Sequence, residues 1–182
     1  MKFTLAEKIN MTQIFGADGV VIPVTVLKAK GVTVTATRTL EKDGYEAIAV
    51  KQEGGRKVKE FRTPAGDLQL GAHIAADVFQ VGDVVAVSGV SKGKGFQGVV
   101  KRHGFVGGWG QHGQKHSHRE PGSIGATWPQ RVLKGKRMAG RMGSDRITLP
   151  SVTIVSIDTD SGIMMVKGAV PGKRGTVVEI RG

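Results

Sequence analysis

The sequence contains no cysteine, which excludes disulfides, cysteine-based zinc sites and thiol chemistry. Aromatic residues make up 5% of the chain, with one tyrosine and two tryptophans. No run of about 18 apolar residues exists to cross a membrane as a helix. A basic amphipathic helix cannot be drawn through 28 glycines, so an anionic membrane surface is disfavoured as a partner too. The first eight residues have neither the apolar core of a secretory signal nor the Arg/Ser richness of a transit peptide. The expectation is a cytoplasmic protein that works where it is made.

Acidic residues are also scarce, at 15 against 27 Lys+Arg, for a formal charge of +12 and a pI near 10.2. That imbalance points to a partner made of phosphates. A chain of 182 residues suffices for one ordinary domain plus a substantial excursion.

Outside the middle of the chain the pattern is one of short strands separated by turns. Gln13-Ile14-Phe15 and residues 20–27 flank Ala17-Asp18-Gly19, a hairpin signature. Residues 32–40 alternate, with Thr33, Thr35, Thr37 and Thr39 on one side, and Asp43-Gly44 turns them into residues 45–50, a second hairpin with one buried face. Residues 51–83 are less legible: Gly54-Gly55 and Pro64 to Gly66 are breakers, and 72–79 fit a short helix. Residues 84–87, 152–157, 163–166 and 177–180 are rich in Val, Ile and Met and read as strands. With no long helical pattern to make parallel crossovers, these predict a mainly β fold, and a small closed antiparallel barrel before a sandwich.

Residues 91–146 differ in texture. They hold 12 Lys+Arg against Glu120 and Asp145, a net of +10 that leaves only +2 for the other 126 residues. They also hold 13 of the 28 glycines, four of the five histidines and both tryptophans. Without apolar periodicity such a stretch cannot bury itself. The expected organisation is a discontinuous core, 1–90 with 147–182, carrying an extended Gly/Lys/Arg-rich arm, 91–146, that becomes ordered on its partner.

Within the arm, Gly93-Lys94-Gly95-Phe96-Gln97-Gly98 matches the dinucleotide pattern G-x-G-x-x-G. That pattern needs a helix after it and an acidic residue about 20 positions on. Residues 99–104 run into Gly107-Gly108 with no helix expected, and no such acid follows. The alternative is that glycines let backbone amides and Lys92, Lys94 and Lys101 approach phosphates. His112, His116 and His118, with His103, offer metal-ligand spacing, but glycines between them disfavour a rigid site; stacking on bases and hydrogen bonds to phosphate or ribose 2′-hydroxyls suit them better. Ser123 lacks the G-x-S-x-G frame of a serine hydrolase. The cations of residues 134–143, with Arg102, Arg119, Arg131 and Arg146, are candidates to neutralise phosphates, among them Lys134, Lys136, Arg137 and Arg141. Trp109 and Trp128 would each lie against an unpaired base for roughly 1–3 kcal/mol, with core packing of one of them the alternative. No catalytic residue, cofactor or metal is expected.

Several motifs together carry a family resemblance. Ser91-Lys92-Gly93-Lys94-Gly95-Phe96, Ser117-His118-Arg119, Pro121-Gly122-Ser123-Ile124-Gly125 and Lys136-Arg137-Met138-Ala139-Gly140 stand in order with Met11-Thr12-Gln13-Ile14-Phe15, Ile22-Pro23-Val24-Thr25-Val26 and Val166-Lys167-Gly168-Ala169-Val170-Pro171-Gly172. The chain resembles, over essentially its whole length, the universal ribosomal protein L-three family of the large subunit in its bacterial form. The resemblance implies a β-barrel of the type shared with translation factors, binding to large-subunit ribosomal RNA early in assembly, and a loop threading toward the peptidyl transferase centre. It implies neighbouring large-subunit proteins as further partners and no enzymatic activity. The loop corresponds to residues 92–146, with Ala126-Thr127-Trp128-Pro129-Gln130 at its tip. Three departures stand out: Asn10 replaces a common glycine, the middle from 51 to 81 is abbreviated, and the tip is one residue shorter than in forms with a methylated glutamine. Gln130 is offset from that site, so methylation is not carried over. The rival readings are a cofactor-dependent enzyme built on Gly93 to Gly98, and a free translation factor, which would need a phosphate-binding loop that the chain lacks.

Overall fold

Phe3, Thr4, Leu5 and Ala6 are four consecutive buried residues, and they open the long strand β1 (Phe3–Phe15). The computed structural model describes residues 2–55, 58–64 and 68–182, and it is mainly β. The turn after β1 is the one that Asp18-Gly19 predicts: Gly19 adopts φ +71°, the Gly16 amide bonds the Val20 carbonyl at 2.9 Å, and β2 (Val21–Lys28) returns alongside. β3 (Val32–Arg38) follows. A single helical turn, α1 (Leu40–Asp43), closed by Gly44 at φ +75°, leads to β4 (Ala47–Gln52) and β5 (Val58–Phe61).

Residues 72–79 are not the expected short helix. They form β6 (His73–Ile74) and one 3₁₀ turn, Ala76–Val78, because β3 captures the segment: Val32 registers with Ile74, and the Val34 amide donates to the Ala72 carbonyl at 2.9 Å. Of the breakers at 64–66, Ala65 and Gly66 lie outside the described residues. β7 (Val84–Val90), β8 (Phe96–Gln97), α2 (Val99–His103), β9 (Gly140–Arg141), β10 (Arg146–Asp158), β11 (Ile163–Lys167) and β12 (Val177–Arg181) complete the order.

The chain divides into two compact units: residues 1–91 with 146–182, and residues 92–145. In the first, six strands pair antiparallel in the cyclic order β1-β12-β7-β10-β11-β2, and β2 pairs back to β1. The ring encloses a core of Leu27, Val85, Val87, Ile154, Met164, Val166, Val178 and Ile180. A second sheet, β5-β4-β3-β6, shares a separate core in which Phe3 and Leu5 of β1 meet Val32, Val34, Ile48, Val50 and Phe61. β1 thus feeds both cores, Ala6 into the ring and Phe3 and Leu5 into the second cluster.

β7 and β10 bracket the second unit in sequence. Val90 and Arg146 are Cα partners across their ladder, so the 55 residues between them leave and re-enter the first unit at neighbouring strand ends.

Candidate nucleic-acid interface

In residues 92–145 the glycine-rich segment is a strand in a small ladder. β8 pairs antiparallel with β9, Phe96 opposite Arg141 and Gln97 opposite Gly140. Lys94 N–H to Met142 O at 2.9 Å and Met142 N–H to Gly95 O at 3.0 Å extend it. Gly143, at φ +77°, lies so close to the Lys92 carbonyl that no Cβ fits there.

Gly98, in extended conformation, caps the start of α2, and Gly104 at φ +73° ends it by donating its N–H to Val100 O. A helix does follow the G-x-G-x-x-G segment, contrary to the sequence expectation. It has five residues and apolar Val99 buried on one side, and it was hidden because one turn and a half leaves no periodicity to read. The dinucleotide reading gains nothing from it, since that motif is a turn between a parallel strand and a helix, whereas Phe96 and Gln97 are here committed to an antiparallel ladder.

α2 presents Lys101, Arg102 and His103 in its last turn. Lys101 is exposed, whereas Arg102 and His103 are partly buried and share one acceptor: Arg102 Nη1 donates to Met138 O at 2.7 Å and His103 Nε2 hydrogen-bonds the same oxygen at 3.0 Å. A Cβ on Gly140 would lie 2.7 Å from Arg102 Nη1, so glycine makes room for the guanidinium. Arg102 therefore fastens α2 to the returning chain, using part of its donor set.

Beyond α2 the backbone folds on itself: Gly108 N–H donates to His118 O at 3.1 Å. Every residue from 109 to 137 is exposed. Trp109 and Trp128 are 76% and 78% exposed, so neither packs in a core, which removes that alternative. Lys92, Lys94, Arg119, Arg131, Lys134, Lys136, Arg137 and Arg141 are exposed together with Lys101. Among the described residues none of these nine forms an ion pair; the pairs present join residues of the other unit. Lys115 is a tenth exposed cation in the same unit; it is not among the residues named from the sequence, although its charge is the signal that marks it.

His112, His116 and His118 are exposed as well, and among the described residues no group of three or more His, Cys, Asp or Glu side chains comes together. Ser123 Oγ donates to Gly125 O at 2.7 Å, which occupies the hydroxyl in a local turn. Arg146 stands apart from the other candidates. It begins β10 in the first unit and its guanidinium bonds the carboxylate of Glu179, a side chain only 10% exposed that also meets Lys59 at 3.1 Å and Arg181 at 3.6 Å. Among the described residues no helix is long and apolar enough to cross a membrane.

What residues 92–145 present is thus a large area of exposed cations, exposed aromatic and imidazole rings and close-packed glycine backbone. Comparison with known proteins agrees with the resemblance read from the motifs. The profile of a family described as Ribosomal protein L3 matches residues 21–162. Large ribosomal subunit protein uL3 of Thermobifida fusca (strain YX) is 46% identical over 204 residues, covering 100% of this chain and 94% of that protein. The protein of the same name from Bacillus thuringiensis (strain Al Hakam) is 42% identical over 203 residues, covering 100% and 96%. Since the similarity runs through both units and the family is one of structural proteins and not enzymes, this chain belongs to the ribosomal protein L3 family.

Proposed function

We propose that the chain is a cytoplasmic structural constituent of the large ribosomal subunit that binds large-subunit ribosomal RNA through residues 92–145. The observation that carries this reading is the set of ten exposed cations within residues 92–145, Lys115 and the nine named with it, none of which has an ion-pair partner among the described residues. Phosphates supply the missing counter-charge, and each contact releases condensed counterions. Lys92, Lys94, Lys101, Arg119, Arg131, Lys134, Lys136, Arg137 and Arg141 neutralise phosphates in this reading. His112, His116, His118 and Trp128 contact bases and ribose, where exposed rings have faces to offer. Arg102 and Arg146 contribute with the donors that Met138 and Glu179 leave unused.

The closed ring of six strands is read as the small antiparallel barrel of the translation-protein type, the part that seats against the subunit and its neighbouring proteins. The loop around Trp128 is the part that reaches toward the peptidyl transferase centre, and binding early in assembly follows from a segment that organises RNA around itself. Sedimentation of lysate through a sucrose gradient, before and after a high-salt wash, tests the assignment. Retention with large subunits after the wash is expected; recovery only among light soluble fractions overturns it.

A further inference from the structure

Within residues 92–145 the backbone runs 104–108 and 114–122 face each other across a cavity of about 590 Å³, in the range of small-molecule sites. The Gly108 N–H to His118 O bond ties the two runs together, and Gly107 and Gly108 lie so close to the His118 and Ser117 carbonyls that neither admits a Cβ. Gln114 Nε2 donates to His116 O at 3.1 Å, which orients that amide and leaves its oxygen as an acceptor. Phe105 supplies a partly buried ring.

The charge of this cavity is opposite to its surroundings. Among the described residues no lysine, arginine or histidine lines it, and Glu120 does. Glu120 is the only acidic residue between positions 92 and 144, and among the described residues it has no ion-pair partner, although Arg119 adjoins it in sequence. A phosphate is repelled from such a site. A hydrogen-bond donor on a flat, apolar group is attracted, and the exposed cations outside the cavity can hold the chain to which that group is attached.

We propose that this cavity is a site for one unpaired cytosine, whose exocyclic N–H donates to the Glu120 carboxylate while its ring lies against Phe105 and the glycine backbone. Carboxylates accept from the cytosine amino group in this way, and unpaired bases are the usual targets of sequence-specific RNA recognition. The inference rests on the reading of residues 92–145 as RNA-binding, and adds base discrimination to it.

The test uses the full chain and fluorescence anisotropy with labelled oligocytidine and oligouridine of about 12 nucleotides, a length within the site sizes of single-strand binders. Uridine lacks the amino group. The expected result is about tenfold tighter binding of oligocytidine, a preference that Glu120→Gln abolishes by weakening oligocytidine alone. A carboxylate that merely faces solvent predicts the opposite sign, since removing a negative charge strengthens binding of both oligomers. Equal binding by the native chain, or tightening of both by Glu120→Gln, overturns the base site and leaves the RNA-binding reading standing. Failure of the folded native chain to bind either oligomer overturns the base site, and the RNA-binding reading falls with it only where large-subunit RNA is not bound either. Circular dichroism verifies the variant's fold, and Lys134→Ala, which lies outside the cavity, should weaken both oligomers equally.

Discussion

Asp83 accepts two hydrogen bonds, from the Gln80 amide at 3.0 Å and from Lys2 Nζ at 2.9 Å. The amide first, and then the ammonium, hold its carboxyl below the ordinary 3.8. Asp158 is lowered likewise, by the Ser161 hydroxyl and then the Ser161 amide. A carboxyl whose folded-state pKa is depressed stabilises the fold above its unfolded pKa and loses that contribution as pH falls through the folded value. Urea midpoints should therefore drop on going below about pH 4, and Asp83→Asn with Asp158→Asn should flatten that drop while lowering the midpoint at neutral pH; an unchanged acid limb would show that neither group contributes. At this scale the sequence is least informative. Lys8 reads as one more surface cation, yet it is 9% exposed and its ammonium donates to Val170 O at 2.6 Å and Gly172 O at 3.3 Å. Arg102 and Arg146 resemble the other phosphate-binding candidates in charge, yet in the fold each has an internal acceptor.

At the scale of elements, strands with one wet face are legible by alternation, and strands with none only where a turn signal or a run of Val and Ile marks them, as at β4 and β12, each with at least three consecutive buried residues. β3 and the hairpin of β1 and β2 announce themselves through alternation and Asp-Gly. The first turns of β1 do not, because Phe3 and Leu5 enter one core while Ala6 enters the other, and a strand buried on both faces has no period-2 signal. β6 and α2 depart from the sequence expectation for a related reason: at two and five residues their conformation is set by the partners that capture them and not by local pattern. Glu179 shows the same dependence on distant partners. From β12 it joins Lys59 on β5 in the second sheet with Arg146 at the start of β10 in the ring. Glu179→Gln keeps the shape and removes the charge, leaving three largely solvated cations without their common anion. Loss of charge-assisted hydrogen bonds of this kind costs about 2 kcal/mol. Chemical denaturation should register that loss, and Arg146→Lys in the same experiment should cost less, since the ammonium retains the charge but not the fork of donors.

For the whole molecule, the register at the base of the second unit permits a decisive deletion. Val90 and Arg146 face each other across an antiparallel ladder, which is the spacing of a two-residue hairpin, so Asn-Gly can replace residues 91–145 without displacing β7 or β10. The shortened chain should retain its strand signal and a cooperative thermal transition, because both hydrophobic clusters lie outside the deleted residues. Its affinity for large-subunit RNA should collapse, together with the salt dependence of that affinity. If between five and nine of the ten exposed cations engage phosphates, log K for the full chain falls with log salt at a slope between about −5 and −8. Each Lys→Ala substitution among them should reduce the slope by about 1 and weaken all RNA sequences alike, in contrast to Glu120→Gln, which should change sequence preference with little effect on slope. A shortened chain that keeps both affinity and slope would move the interface to the six-stranded ring, whose unit, with 16 basic and 13 acidic residues once residues 91–145 are removed, has little net charge with which to produce them.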